Sequence, residues 1–225
     1  TDVSKISFYA AGIVVDEQKQ SVASVFAKVF PDAAVEAESD LVAAARAICG
    51  HQPGIACIVG TGSNTCCWDG SRIVKNVRAG GFILGDEFSG AYLGKRLLGD
   101  YINGLVPRAL ENELQKRYGL SYETIVRNVY KSVAPGRYLA SFAPFIKEFE
   151  NHPYCKSLLE SGFSEFVSRN LLAYDYRHNT IGFVGSIAYN FKDMIVRTLS
   201  RSGVRVGAVL KSPIDELVKY HIQNG

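Results

Sequence analysis

Nothing in this sequence is apolar for long enough to cross a bilayer. The longest apolar runs, such as Ile55–Gly60, fall far short of the ~20 residues that a spanning helix needs, so no membrane partner is expected. A one-sided charge is missing too: 25 Lys and Arg face 22 Asp and Glu, a formal net charge of +3. The basic residues are scattered, which leaves no electrostatic footprint for nucleic acid. Cysteine is sparse: Cys49, Cys57, Cys66, Cys67 and Cys155 make an odd five, without the paired C-x2-C spacings of a zinc or iron–sulfur site. Reduced thiols in a cytoplasmic protein fit that usage best. His51, His152, His178 and His221 are widely separated, so no metal ligand is assigned. A G-x-S-x-G elbow, a G-x-G-x-x-G after a strand, internal repeats and low-complexity tracts are all absent. Thr1-Asp2-Val3-Ser4-Lys5 shows no initiator Met and no signal-peptide pattern, and reads as a beginning in mid-fold.

What is there is ordinary globular composition, 47% hydrophobic and 21% charged, enough to bury a core. Ile6–Ala11 reads as a strand ending at Gly12. A helix from Glu17 follows, with Val22, Val25, Phe26, Val29 and Phe30 on one face and Pro31 as its stop. Ala33–Ala37 is a strand, and Asp40 is placed as the N-cap of a helix carrying Leu41, Val42, Ala45 and Ile48, closed by Gly50. Ile55–Val59 is the continuous apolar run of a strand buried on both faces. Thr65–Trp68 and Arg72–Val77 flank Asp69-Gly70, a two-residue hairpin signal. Helices are predicted through Ala91–Leu98, near 107–118, 122–132 and 139–150, and after Pro153 with Leu158, Leu159, Phe166 and Leu172 inward. Thr180–Val184 returns to strand, then a helix carries Ile187, Phe191, Met194, Ile195 and Leu199, then strand Val204–Leu210 and a helix to about Ile222. Strands alternating with helices give an α/β fold.

Three turns and one carboxylate can carry chemistry, and each has a plainer reading beside it. Gly60-Thr61-Gly62-Ser63 lets several backbone N–H groups approach an anion, or is a simple β-turn. Gly80-Gly81 through Gly85-Asp86-Glu87 offers an acidic pair for ligand hydroxyls or for Mg²⁺ through water, or merely favours the next helix dipole. Gly185-Ser186 lets a flat ligand lie against the backbone, or is a common strand-to-helix junction. Asp40 is a helix cap, or a base that orients and deprotonates a hydroxyl. Cys66-Cys67 reads as strand packing.

Taken in order, Ile58-Val59-Gly60-Thr61-Gly62-Ser63-Asn64, Leu84-Gly85-Asp86-Glu87-Phe88-Ser89-Gly90 and Phe183-Val184-Gly185-Ser186 resemble the N-acetylglucosamine kinases and the BadF/BadG/BcrA/BcrD ATPase family around them. The likeness runs from about Ile6 to Lys219. It implies an α/β, two-lobed actin-like ATPase (ribonuclease H-like) fold with an incomplete N-terminal lobe. The lobes would be residues 1–53 and 54–210, the second with a helical insertion, and 211–225 would form a helix packing back on the first. ATP and an amino sugar would meet between them, with Mg²⁺ on the phosphates. Thr61, Gly62, Gly185 and Ser186 match ATP-binding positions. Ser63, Asn64, Gly80, Gly81 and Asp86 match sugar-binding positions, and Asp40 matches the catalytic base. The activity implied is phosphorylation of N-acetylglucosamine to its 6-phosphate, by positioning and charge neutralisation, in a homodimer. Two departures stand out. The family's first phosphate motif, Asp-x-Gly-x-Thr-x-Thr, has no counterpart here. Phe88 replaces the Gly of G-D-E-G-S-G, where it would narrow the sugar pocket or strain the turn. The alternatives are a sugar-sensing or interaction module on the same fold, and an activator ATPase of a CoA-ester reductase. The zinc motif of repressor-type sugar kinases is missing.

Overall fold

The computed structural model describes residues 3–223, which form a two-stranded and a five-stranded sheet. The first sheet pairs β1 (Lys5–Ala10) with β2 (Ala34–Ser39) in parallel, Lys5 opposite Ala34 and Ala10 opposite Ser39. Parallel neighbours need a crossover, and α1 (Asp16–Ala27) provides it. α2 (Asp40–Cys49) follows β2 with no loop and ends at Gly50, whose φ of +57° suits glycine.

The second sheet begins with the meander β3 (Gly54–Val59), β4 (Ser63–Trp68) and β5 (Ile73–Val77). A short α3 (Gly81–Leu84) leads into the helical block of α4 (Gly90–Ile102), α5 (Arg108–Tyr118), α6 (Tyr122–Tyr130), α7 (Pro135–Ala140), α8 (Ala143–Glu148) and α9 (Pro153–Arg169). The chain re-enters the sheet as β6 (Ile181–Val184), continues through α10 (Ser186–Asn190) and α11 (Lys192–Arg201), adds β7 (Val206–Leu210) and ends in α12 (Ile214–Gln223). Strand order is β5-β4-β3-β6-β7, with β6 and β7 parallel to β3.

The all-apolar reading of β3 is explained by helices on both faces. Ala56 packs with Leu41 and Ala45 of α2, while Ile55, Cys57 and Val59 join the large core with α4, α8, α9 and α11. α12 returns to the outer side of α2, where Leu217 meets Ala43 and Ala47.

Several local expectations are corrected. Ser39, not Asp40, is the N-cap of α2: its hydroxyl accepts from the Val42 amide at 3.2 Å, and Asp40 is the first helical residue. Val42 and Ile48 are only half-buried, because alanines 43, 44, 45 and 47 take the close packing against two neighbours. The Asp69 turn spans four residues, since the Asp69 carboxylate accepts from the Ser71 and Arg72 amides, both at 2.8 Å. The helix expected over 139–150 is two, because Pro144 cannot donate to a continuous ladder. The helix after Ser186 breaks at Phe191, whose buried ring turns into the core. Leu172 is exposed and Leu171 buried, since a 3₁₀ turn shifts the phase of the α9 face by one residue. α1 ends at Ala27, short of Pro31, and Val25 and Val29 on its expected inner face are exposed. Among the described residues only partial cover reaches that helix, chiefly Phe8 against Phe26 at 5.4 Å between ring centres.

Candidate active site

A cleft of about 820 Å³ opens between the end of β2 and the end of β3. Its walls include Gly12–Val14, Glu38–Val42, Gly60–Asn64, Asn76 and Asp86.

The Gly60–Gly62 segment is a tight turn closed by the Gly60 amide on the Gly62 carbonyl at 2.9 Å. The carbonyls of Gly60 and Thr61 accept from the first amides of α4, Gly90 at 2.8 Å and Ala91 at 3.0 Å. Their oxygens are thus turned to the protein. The amides of Thr61 and Gly62 take no partner among the described residues. A Cβ built on Gly60 would meet nothing within 4 Å. Two unpaired N–H groups on an open glycine turn form an anion cradle.

Asp86 and Glu87 part company. Asp86 and Phe88 both hold left-handed backbone, φ +58° and +60°, which corkscrews the chain and sends neighbouring side chains opposite ways. Asp86 faces the cleft, where its Oδ1 accepts from the Ser63 amide at 3.1 Å. Its Oδ2 would lie 2.9 Å from a Cβ on Gly62, so that glycine is what lets the carboxylate in. Burial pushes the Asp86 carboxyl above the usual range, partly opposed by the Ser63 bond. Glu87 turns inward, 7% exposed. One oxygen pairs with the Arg169 guanidinium at 2.7 Å, the other accepts from the Asn170 amide at 3.1 Å. The Glu87 carbonyl accepts from the Ser63 hydroxyl at 3.0 Å. Ser63 therefore spends its donor on the fold and offers the cleft only lone pairs. Phe88 does not narrow the pocket: its ring is fully buried in the helical core, 5.0 Å from Phe163 and 6.2 Å from Phe191. The turn strain expected there is present in its φ.

Asp40 stands opposite this wall, at the first turn of α2. Burial raises its carboxyl, while its own amide and that of Leu41 pull it back down. No Lys, Arg or His side chain pairs with it among the described residues. Asp40 and Ile58 also border a second cavity, of about 420 Å³, which holds Gly185 together with Tyr9, Val184 and Lys211. Gly185 has φ +127°, and a Cβ there would sit 2.3 Å from the Val59 carbonyl. Only glycine fits where β6 passes the end of β3.

The fold thus gathers Asp40, Thr61, Gly62, Ser63, Asn64 and Asp86 around one cleft and sets Gly185 in the cavity beside it. Gly80, Gly81 and Ser186 line neither. Gly80 and Gly85 instead press backbone to backbone to close α3: a Cβ on Gly80 would meet the Leu84 carbonyl carbon at 2.8 Å. Sequence reasoning missed Asn76, the Lys19–Glu38 ion pair at 2.7 Å and the inward anchor of Glu87. It also missed Tyr174, whose hydroxyl reaches Thr65 Oγ1 at 2.9 Å and accepts from the Val77 amide at 2.8 Å. Only alternation along β5 could have pointed to Asn76.

No family model and no curated protein matches the sequence. Solved structures do. The crystal structure of the "Putative N-acetylglucosamine Kinase" from Porphyromonas gingivalis superposes with a TM-score of 0.94 at 37% identity, over 98% of this chain and 78% of that one. A protein of the same description from Chromobacterium violaceum gives 0.71 at 18% identity, over 94% and 75%, a likeness of fold alone. Two helix-backed sheets meeting at a glycine-turn cleft, in this company, define the two-lobed α/β fold of the actin-like, ribonuclease H-like type. The first lobe is represented here by two strands. By its identity to the Porphyromonas gingivalis protein, the chain belongs to that protein's family, the N-acetylglucosamine kinase-like proteins.

Among the described residues no helix is long and apolar enough to cross a membrane, and no three His, Cys, Asp or Glu converge as metal ligands.

Proposed function

We propose that this protein is an ATP-dependent kinase of an amino sugar, taking N-acetylglucosamine to its 6-phosphate. The observation that carries the reading is the facing pair: an unpaired, half-buried Asp40 carboxylate across one cleft from the free Thr61 and Gly62 amides. Phosphoryl transfer asks for that arrangement, a base on the acceptor hydroxyl and donors on the phosphate.

The residues fit a nucleotide. The open Gly60 turn leaves room for phosphate against the Thr61 and Gly62 amides, and Gly185 borders the smaller cavity beside it. ATP, when bound, supplies the phosphoryl group. No three His, Cys, Asp or Glu converge among the described residues; Mg²⁺ would be carried on the nucleotide's phosphates, where it would neutralise their charge. Asp86 and Asn64 hold the sugar from the β4 side. Asp40 takes the proton of the attacking hydroxyl onto its carboxylate. Its raised carboxyl makes it a better base than an ordinary aspartate.

The cysteines give the activator-ATPase alternative no support. Burial pushes Cys66 to about 12 and Cys49 and Cys155 to about 11, the wrong direction for thiolate ligands. Phe88, packed in the core, no longer argues for a blocked sugar site. A coupled ADP-release assay over a sugar panel tests the proposal. Release that depends on N-acetylglucosamine supports it, and no sugar-dependent release from any member rejects it.

A further inference from the structure

Asn64 and Asn76 sit side by side on β4 and β5, and main-chain groups dictate which way each amide points. A backbone N–H only donates, so the Asn64 atom facing the Thr65 amide at 2.9 Å is its oxygen. A carbonyl only accepts, so the Asn76 atom facing the carbonyls of Thr65 at 2.7 Å and Val77 at 3.0 Å is its nitrogen. With both orientations set independently, Asn76 Nδ2 also faces Asn64 Oδ1 at 3.0 Å, so its two protons are shared among three acceptors, the Thr65 and Val77 carbonyls and the Asn64 oxygen. The Asn64 oxygen is then doubly occupied, and its NH₂ group has no partner among the described residues. Both residues line the cleft, on the same wall as Asp86.

We infer that Asn76 is a positioning residue for ligand binding: it locks the Asn64 amide with its NH₂ toward the cleft, so that this spot recognises an acceptor oxygen of the ligand, such as a sugar hydroxyl. The ligand class rests on the kinase reading above; the locking of Asn64 does not. Tyr174 holds the same strands together from the buried side, through Thr65 and Val77. The Asn76 side chain, by contrast, is exposed and joins no core cluster. Removing it should therefore cost alignment rather than folding.

The test uses the whole protein and two variants, Asn76→Ala and the same-sized Asn76→Asp, which keeps bulk but loses the donor. Side-chain amide resonances of Asn64, assigned by their loss in Asn64→Asp, are expected to shift in both variants. Calorimetric Kd for N-acetylglucosamine without nucleotide is expected to rise about tenfold, the worth of one aligned hydrogen bond. Sugar KM follows it, with kcat within about threefold and the KM for ATP unchanged. A thermal melt identifies a variant that fails to fold, and the other then decides. Unmoved Asn64 resonances overturn the inference, as does a sugar Kd within twofold of the parent protein. A parent protein that binds no sugar sinks the kinase reading instead, and the resonances still decide whether Asn76 locks Asn64.

Discussion

The two sheets are held by different physics. In the second, every residue of β6 is buried, and the core beside it carries Phe88, Phe142, Phe145, Phe163, Phe166, Phe183 and Phe191, each no more than 2% exposed. In the first, α1 buries no residue, and β1 and β2 are mostly half-exposed. There polar contacts do much of the joining: Arg46 to Glu36 at 2.7 Å, Lys19 to Glu38 at 2.7 Å and Arg46 to the Tyr9 hydroxyl at 2.6 Å. Exposed ion pairs contribute only about 0–1 kcal/mol each, whereas burying one aromatic ring contributes several times that. The difference teaches where the site is rigid. The Gly60 turn and Asp86 are anchored to the aromatic side. Asp40 sits on α2, which serves both: Leu41 and Ala45 pack on Ala56 and Trp68, while Ala43 and Ala47 face Leu217 and Tyr9.

Substitutions at two positions press hardest on that contrast. Asp40→Asn should lower kcat by about 10²–10⁴ while sugar and nucleotide Kd stay within about threefold. Because burial raises the Asp40 carboxyl, the acid limb of kcat/KM should lie above the ordinary aspartate value of about 3.9. The same raised value means that the contribution of Asp40 to stability is fully present below that ordinary range and is lost as pH rises through the folded value. Asn at this position should abolish that slope. A variant retaining full kcat would remove Asp40 from the chemistry. In the rigid half, Phe88→Ala should destabilise by about 3–5 kcal/mol, the cost of an aromatic cavity. Phe88→Gly leaves the same cavity but relieves the left-handed φ, a strain of about 1–2 kcal/mol. Glycine should therefore be the milder change, by denaturant unfolding. If alanine is milder, the φ of +60° carries no strain.

Much of this was readable in advance, and the failures share a cause. β3 announced itself because helices on both faces demand a run without polar residues, and Gly60–Asn64 because a tight turn needs small residues. The cleft residues Asp40, Thr61, Gly62 and Asp86 followed from the order of those turns. What could not be read were facts that depend on the partner across space. Glu87 looks like Asp86 in one dimension, and only the left-handed residues on either side of it, Asp86 and Phe88, turn it inward. Phe88 looked like an obstruction for the same reason. Gly80 and Gly81 shared the glycine signal of the site turns, yet they close α3 on itself. The expected inner face of α1 failed because periodicity reports an apolar face, not what covers it.

Glu87 offers a test of intermediate size. It joins the site turn to the C-terminal end of α9 through Arg169 and Asn170. Glu87→Gln keeps one hydrogen bond and removes the charge, and Arg169 is itself largely in solvent. The expected loss is about 1–2 kcal/mol, with sugar Kd raised because Ser63 and Asp86 ride on the same turn. Stability loss with unchanged sugar affinity would mean that the turn holds its shape without this anchor.

The smallest effect should come from Tyr9, in the half held by polar contacts. Arg46 donates to the Tyr9 oxygen, and the Tyr9 hydroxyl meets His221 Nε2 at 2.7 Å. With the oxygen already accepting, Tyr9 is best placed to donate, which requires an unprotonated His221 nitrogen. Burial lowers the His221 pKa against the pull of Glu36, so folding favours the neutral ring. A lowered His contributes stability at high pH and loses it as pH falls below the ordinary value of about 6.5, where the unfolded chain takes up the proton first. Tyr9→Phe should cost about 1 kcal/mol or less and leave global unfolding nearly unchanged. Its signature should be local: faster amide hydrogen exchange along α12, which docks on α2 through Leu217. The same loss of protection, taken relative to the intrinsic exchange rate at each pH, should appear in the parent protein on acidification below about 6.5. If Tyr9→Phe instead lowers global stability as far as Phe88→Ala, the first sheet is no weaker than the second and the contrast between them fails.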